Sequence, residues 1–446
     1  MKGGTLMAVK KRSLEVDLTN ADFMTIMSGG GKAKVFSSNS LIDFSYPTGV
    51  SVIDYATAYE LNVFDMNTKQ LVKKRVIKGI QAGTFNVISG RTQSFKTTIT
   101  SQLCSNIAYS SGGNIVHYDT EGRLVGQRIK TLSKLPLDWF EGEHPRYVIK
   151  GGSIGFDTLQ ADIAEIYENK MRNEELLLKD TGEVDGSNRP IKLMPPTIVF
   201  IDSLQNVTEK EYNIDDDNIA ELRSKTQGAR SAYTIRGFIT DILPMCKEAN
   251  IIVMCIAHKT TNMTLQAYGG PKKQFQYGSN DERISGGSAV EFNAALVMNL
   301  TGISRDDSRF HIETDGFEGN TVLFEPTKCS TNESGNEKSG LGFEIIVDKR
   351  HEGVDNIRTL IRLLVNKGRL KGNKAGYRVI NSEGEVVGEK FTWKTVHEDF
   401  AKDHTTLALF YKAAKEELEK YISRAPEKIS ASIKPFDIDA MLEEAC

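Results

Sequence analysis

The stretch Gly90-Arg91-Thr92-Gln93-Ser94-Phe95-Lys96-Thr97 decides how this chain is read. It follows the β-branched run Thr84 to Ser89 and opens a helical stretch, Thr97 to Tyr109, so its setting is strand, loop, helix. A phosphate-binding loop needs that setting, because backbone N–H groups at a helix N-terminus point at the anion and the helix dipole favours negative charge. Residues Gly90 to Thr98 are the expected nucleotide loop: Lys96 to contact the β- and γ-phosphates, the Thr97 hydroxyl to ligate Mg²⁺, and Thr98 to continue the helix start. Phe95 departs from the pattern GxxxxGK[ST], where a second glycine ordinarily lets the backbone approach the ligand closely. A strand-turn-helix junction that merely contains Lys-Thr is the competing reading of this octet. The rest of the chain must decide.

Three further segments bear on it. Thr197-Ile198-Val199-Phe200-Ile201-Asp202 is a buried-type strand ending in a carboxylate, suited to support Mg²⁺ through water. Asn114 to Asp119 is the strand after the loop's helix, and Glu121 lies just past its end, where a carboxylate can deprotonate an attacking water. Ile251 to Ala257 is a third apolar strand and delivers His258 to the same edge, within reach of a γ-phosphate. Each has a plain alternative: a polar strand cap, a turn glutamate without a role, a structural histidine. Their joint occurrence favours the nucleotide reading.

Outward from this centre, β-branched runs alternate with helical stretches: Phe156 to Met171, Gly228 to Ala249, and the strands already named. Short apolar strands separated by helices of a dozen or more residues imply βαβ units and a largely parallel sheet covered on both faces. Ala294 to Leu300, Phe310 to Thr314 and Phe343 to Lys349 are expected to extend that sheet in antiparallel fashion. Asp180 to Pro190 and Lys328 to Gly342 are polar and turn-rich and are expected as surface loops. Beyond Asn356 the pattern predicts a helix over Thr359 to Lys367, a hairpin over Tyr377 to Thr392, a helix over Leu407 to Tyr421 and a short acidic tail, Asp437 to Glu444. The expected organisation is an N-terminal oligomerisation appendage over 1–48, a core over 49–355 and a C-terminal region over 356–446.

Composition narrows the class. The chain has 446 residues, of which 39% are hydrophobic and 26% charged, enough to bury a sizeable core. Its apolar runs fall far short of the roughly 20 residues that cross a bilayer. The basic start, Met1 to Arg12, lacks the apolar stretch and cleavage site of a secretory signal. Five cysteines, Cys104, Cys246, Cys255, Cys329 and Cys446, lie far apart without metal-ligand spacing, which implies free thiols in a reducing cytoplasm. A net charge of −3 argues against a uniformly basic coat, though not against a basic groove.

Taken together, these residues resemble the RecA family of strand-exchange recombinases, and more closely its bacteriophage UvsX branch. Pro47-Thr48-Gly49-Val50-Ser51-Val52-Ile53-Asp54 is similar to the family's entry to the core. Ser94-Phe95-Lys96 is similar to the UvsX branch's phosphate loop, in which Phe also replaces glycine. Tyr118-Asp119-Thr120-Glu121 resembles the strand that ends in the catalytic glutamate, and Phe200-Ile201-Asp202-Ser203-Leu204 the Walker B strand; Ala257-His258 matches the branch's Asn-His pair at the histidine alone. The resemblance spans about residues 47 to 425.

It implies an α/β fold of the RecA-type P-loop ATPase class, with a smaller α+β C-terminal region. It also assigns Lys259 to Gly287 as a DNA-binding loop, with Gln266, Tyr268, Lys272, Lys273, Gln274, Phe275, Tyr277 and Arg283 as contacts, basic and aromatic groups that suit single-stranded backbone and bases. A first DNA loop is implied between Val207 and Gln227, bringing Arg223, Lys225 and, just beyond, Arg230, although Asp215-Asp216-Asp217 is an awkward neighbour for phosphate. Lys349 and Arg350 are similar to the basic residues that reach the neighbouring subunit's γ-phosphate. The tyrosine expected to stack on adenine is replaced by Arg128, which points to guanidinium stacking.

The implied activity is that of a DNA-dependent ATPase which, with ATP and Mg²⁺, forms helical filaments of itself on single-stranded DNA and pairs it with homologous duplex. A recombination mediator and a single-strand-binding protein are implied partners, and the cytoplasm of an infected bacterial host the implied setting. Two other readings stay open. A RecA-core hexameric helicase would need an N-terminal collar, for which about 80 residues precede the loop. A non-hydrolysing nucleotide-bound filament protein would not need Lys96, Thr97, Glu121 and Asp202 together.

Overall fold

The computed structural model describes residues 43–65, 67–68, 70–122, 126–208, 219–261, 282–284, 288–302, 311–314, 317–330, 342–348 and 353–424. The appendage expected over 1–48 and the acidic tail lie, but for residues 43–48, outside them. The described residues all belong to one compact unit, Leu41–Cys446.

Six strands form the parallel part of the central sheet: β1 (Phe85–Gly90), β2 (Asn114–Asp119), β3 (Tyr147–Gly151), β4 (Thr197–Asp202), β5 (Ile251–Thr261) and β6 (Leu296–Gly302). Across the sheet they run in the order β6, β1, β5, β4, β2, β3, and every neighbouring pair is parallel. Three more strands, β7 (Phe317–Cys329), β8 (Phe343–Asp348) and β9 (Gly353–Val354), continue beyond β6 with antiparallel pairing. The architecture is therefore α/β, with a large, mostly parallel sheet flanked by helices.

Alternate residues of the central strands feed two separate cores. Ile198 and Phe200 of β4, with Ile252, Met254 and Ile256 of β5, pack on the face that carries Ile99, Leu103 and Ile107 of helix α1 (Lys96–Ser111). Val199 and Ile201, with Val253 and Cys255, face helix α2 (Phe156–Arg172) and helix α3 (Ile219–Ala249) through Leu159, Ile163, Phe238, Ile239 and Ile242. Burial on both faces is why these strands read as unbroken apolar runs.

Several expectations are corrected. Leu296–Gly302 pairs parallel, not antiparallel, with β1. Glu282–Ile284 descends antiparallel to the end of β5, and the helix Ser288–Asn293 completes the return, so the chain enters β6 from the starting edge. The Asp180 to Pro190 segment is no loop but the centre of a hairpin, Lys179–Val184 with Pro190–Leu193, closed around a turn in which Asp185 Oδ1 accepts from the Ser187 and Arg189 amides. Helix α3 begins at Ile219, well before Gly228, because Ala220, Glu221, Leu222, Arg223 and Lys225 are all strong helix formers.

The C-terminal part adds a helix, Asn356–Asn366, whose N-cap Asp355 accepts from the Arg358 amide at 2.9 Å. A three-stranded antiparallel sheet follows (Leu370–Asn373, Gly376–Ile380, Val386–Phe391), of which the expected hairpin is the last two strands. Helices Val396–Lys402 and His404–Leu418 pack on it through Phe391, Phe400 and Phe410. Among the described residues no helix is long and apolar enough to cross a membrane.

Candidate functional site

The C-terminal ends of the parallel strands gather the candidate residues at one sheet edge. Register fixes the arrangement: Gly90 lies opposite Leu300 on one side and His258 on the other, and Asp202 lies opposite Asp119. The strand carrying His258 is inserted between β1, which leads into the Gly90–Thr97 octet, and β4, which carries Asp202.

The octet makes a tight turn. Gln93 and Phe95 adopt positive φ, 66° and 59°, and Phe95 sits at the N-cap of α1 in the left-handed region. Gly90 is required by crowding, since a Cβ there would lie 2.3 Å from the Leu300 carbonyl oxygen and 2.7 Å from Ser94 Oγ. Ser94 Oγ donates to the Arg91 carbonyl at 2.8 Å, and buried Lys96 donates to the carbonyls of Gly90 at 3.0 Å and Arg91 at 2.6 Å. Arg91, Thr92 and Gln93 are exposed, Phe95 packs partly against the core and Thr98 is buried.

A polar link joins the loop to a neighbouring strand, and others tie the strand ends to one another. Thr97 Oγ1 donates to Asp202 Oδ2 at 2.7 Å. Ser203 Oγ donates to Glu121 Oε1 at 3.0 Å, and His258 Nε2 approaches the same Oε1 at 3.4 Å. Thr120 clamps the two strand ends: its hydroxyl accepts from the Ser203 amide and donates to the Ser203 carbonyl, both at 2.8 Å, and its amide donates to the Asp202 carbonyl at 2.9 Å. The His258 amide donates to Gln205 Oε1 at 3.1 Å.

Burial sets the electrostatics. It pushes the Lys96 ammonium down to about 8, against the pull of Asp202 and Glu121, which favour its charge. It lifts the Asp202 carboxyl to about 6; the Thr97 hydrogen bond opposes the rise, Glu121 and Asp119 add to it, and Lys96 opposes it. A buried carboxylate with two acidic neighbours and a hydroxyl on its oxygen is a hard-oxygen setting that a divalent cation would relieve. Among the described residues no group of three or more His, Cys, Asp and Glu side chains could hold a metal on its own.

Lys96, Thr97, Asp202, Glu121 and His258 are thus brought together. Arg128 lies exposed on the helix Gly126–Ser133, just beyond Glu121. Arg223, Lys225 and Arg230, expected on or beside a loop, are on helix α3, with side chains outside the described residues. Arg283 lies on the strand Glu282–Ile284, its side chain likewise undescribed. Gln266, Tyr268, Lys272, Lys273, Gln274, Phe275, Tyr277, Lys349 and Arg350 lie outside the described residues. Sequence reasoning missed Thr120, Ser203, Gln205 and Asn206, whose only signal was their position next to the two carboxylates.

No protein-family model matches this chain, and no curated protein matches it.

Proposed function

We propose that this chain is a P-loop ATPase with a RecA-type core that hydrolyses ATP at the edge formed by Lys96, Thr97, Asp202, Glu121 and His258. The observation that carries the reading is the convergence of loop, hydroxyl and carboxylates, fixed by the 2.7 Å bond from Thr97 to Asp202 and the register of Gly90 with His258. In this reading Lys96 leaves the Gly90 and Arg91 carbonyls to meet the β- and γ-phosphates. Thr97 and Asp202 would hold Mg²⁺, which would supply positive charge to offset that of the phosphate oxygens. Glu121 takes the proton of the attacking water, and His258, beside Glu121, responds to the γ-phosphate. Arg128 stacks on the base.

The finer reading is a DNA-strand-exchange recombinase that assembles with ATP and Mg²⁺ as a filament on single-stranded DNA and pairs it with homologous duplex. Its support is the resemblance of the motifs around this edge to the UvsX branch, with the basic and aromatic residues between Lys259 and Gly287 as DNA contacts and Lys349 and Arg350 acting across the subunit boundary. The test is ATP hydrolysis by wild type and Glu121→Gln, with and without single-stranded DNA, beside electron microscopy of the same samples. DNA-stimulated turnover lost in Glu121→Gln, with helical filaments, is expected. Closed rings, or turnover indifferent to DNA, would overturn the recombinase reading, and turnover indifferent to Glu121 the catalytic assignment.

A further inference from the structure

Ser203 is fully buried and its hydroxyl is spoken for twice: Asn206 Nδ2 donates to Ser203 Oγ at 3.3 Å, and Ser203 Oγ donates to Glu121 Oε1 at 3.0 Å. An amide N–H can only donate, so it leaves the serine proton pointing at the carboxylate. The chain of bonds therefore has a direction, from Asn206 through Ser203 to Glu121. Its base is rigid, because Thr120 pins the backbone of Ser203 at both its amide and its carbonyl, and Asn206 belongs to the single 3-10 turn Leu204–Asn206 that follows. Glu121 itself lies on a bend after its strand, where a side chain without an anchor would sample several rotamers.

We propose that Ser203, oriented by Asn206, is a positioning residue that holds the Glu121 carboxylate in the rotamer needed to receive a proton from water. This rests on the ATPase reading above. Ser203 makes no contact with the reacting atoms in this scheme and acts through Glu121 alone. Its loss should therefore lower turnover without weakening nucleotide binding, since an acceptor that is misplaced costs transition-state stabilisation and leaves the ground state untouched.

The experiment is steady-state ATP hydrolysis by the full-length chain with saturating single-stranded DNA, beside the affinity for a fluorescent ADP analogue and the thermal midpoint of each variant. Ser203→Ala is expected to lower kcat about tenfold, with KM and analogue affinity within about twofold of wild type. Exposed Asn206 gives a second pair of variants that leaves the buried packing intact. Asn206→Ala should lower kcat by about threefold. Asn206→Asp, of the same size, presents an acceptor that draws the serine proton away from Glu121, and should fall below Asn206→Ala. A purely structural role would not separate those two. If Glu121→Gln abolishes turnover while Ser203→Ala keeps wild-type kcat, or Asn206→Asp equals Asn206→Ala, the positioning role is overturned and the ATPase reading stands. Absence of turnover in wild type, or full turnover in Glu121→Gln, overturns both.

Discussion

The hydroxyl of Thr97, in the first turn of α1, donates at 2.7 Å to the carboxylate of Asp202 at the end of β4, although β5 runs between the strands that lead to them. That bond bridges the inserted strand and brings a loop and a carboxylate into one site. Burial nevertheless makes the setting hostile to the Asp202 charge, and the Thr97 bond offsets that only in part.

The first prediction follows from that hostility. The folded protein binds a proton at Asp202 more tightly than the unfolded chain, since the carboxyl is raised from 3.8 to about 6. Ionised Asp202 therefore costs stability above about pH 6, and the cost fades as pH falls toward 3.8. Asp202→Asn keeps an acceptor for Thr97 and removes the charge, so without ligand at pH 8 it should be more stable than wild type by about 1–3 kcal/mol. On the proposed role of Asp202 in holding Mg²⁺, wild type should gain stability from Mg²⁺ with nucleotide and the same variant should not. Thermal melts with and without Mg²⁺–ATP check both signs; a variant that is less stable without ligand would refute the argument.

The second prediction concerns Phe95, which stands at φ 59°, ψ 23° where a glycine would be unstrained. A left-handed conformation costs a non-glycine residue about 1 kcal/mol or more, yet the ring packs partly against the core. Phe95→Ala keeps the strain and loses the packing, and should destabilise by about 2 kcal/mol. Phe95→Gly loses the packing but relieves the strain, and should be the more stable of the two by about 1 kcal/mol. Chemical denaturation of the three proteins decides; the opposite order would mean that the loop is not strained at this position.

Burial explains which parts of this fold the sequence announces. Thr197–Asp202 is covered on both faces by α1 on one side and α2 and α3 on the other, so every residue between Thr197 and the terminal carboxylate is apolar and the strand is legible to the residue. Tyr147–Gly151 has one sheet neighbour, leaves Val148 and Ile149 38% exposed, and carries Lys150; an edge strand of that kind gives no clean signal. Leu71–Ile77, with Lys73, Lys74 and Arg75 at its centre, forms a hairpin with Tyr59–Phe64 and lacks the alternation that marks a strand. The direction of β6 was not legible because an apolar run has no polarity; the return through Glu282–Ile284 and Ser288–Asn293 sets it. At the site, Lys96, Thr97, Glu121, Asp202 and His258 could be picked out because their residue types carry chemistry and each follows or ends an apolar run or opens a helix. Ser203 and Asn206 could not, because what singles them out is a hydrogen-bond direction created by the turn after β4.

The third prediction uses Lys96 as a reporter of what binds. Burial lowers its ammonium from 10.5 to about 8, so in the free protein a substantial fraction is neutral at pH 8 to 9. Phosphate oxygens set against the ammonium favour the charged form and raise its pKa again. Nucleotide binding at pH 8 to 9 should therefore take up a proton at this site, and the uptake should vanish below about pH 7, where Lys96 is already charged. Calorimetric titration of ATP at pH 8.5 in buffers of different ionisation enthalpy measures the uptake as a slope. Lys96→Arg keeps a cation that does not titrate in this range and should reduce the slope toward zero even where binding persists. A slope unchanged in Lys96→Arg would place the proton elsewhere, and no uptake in wild type would mean that the phosphates do not reach Lys96.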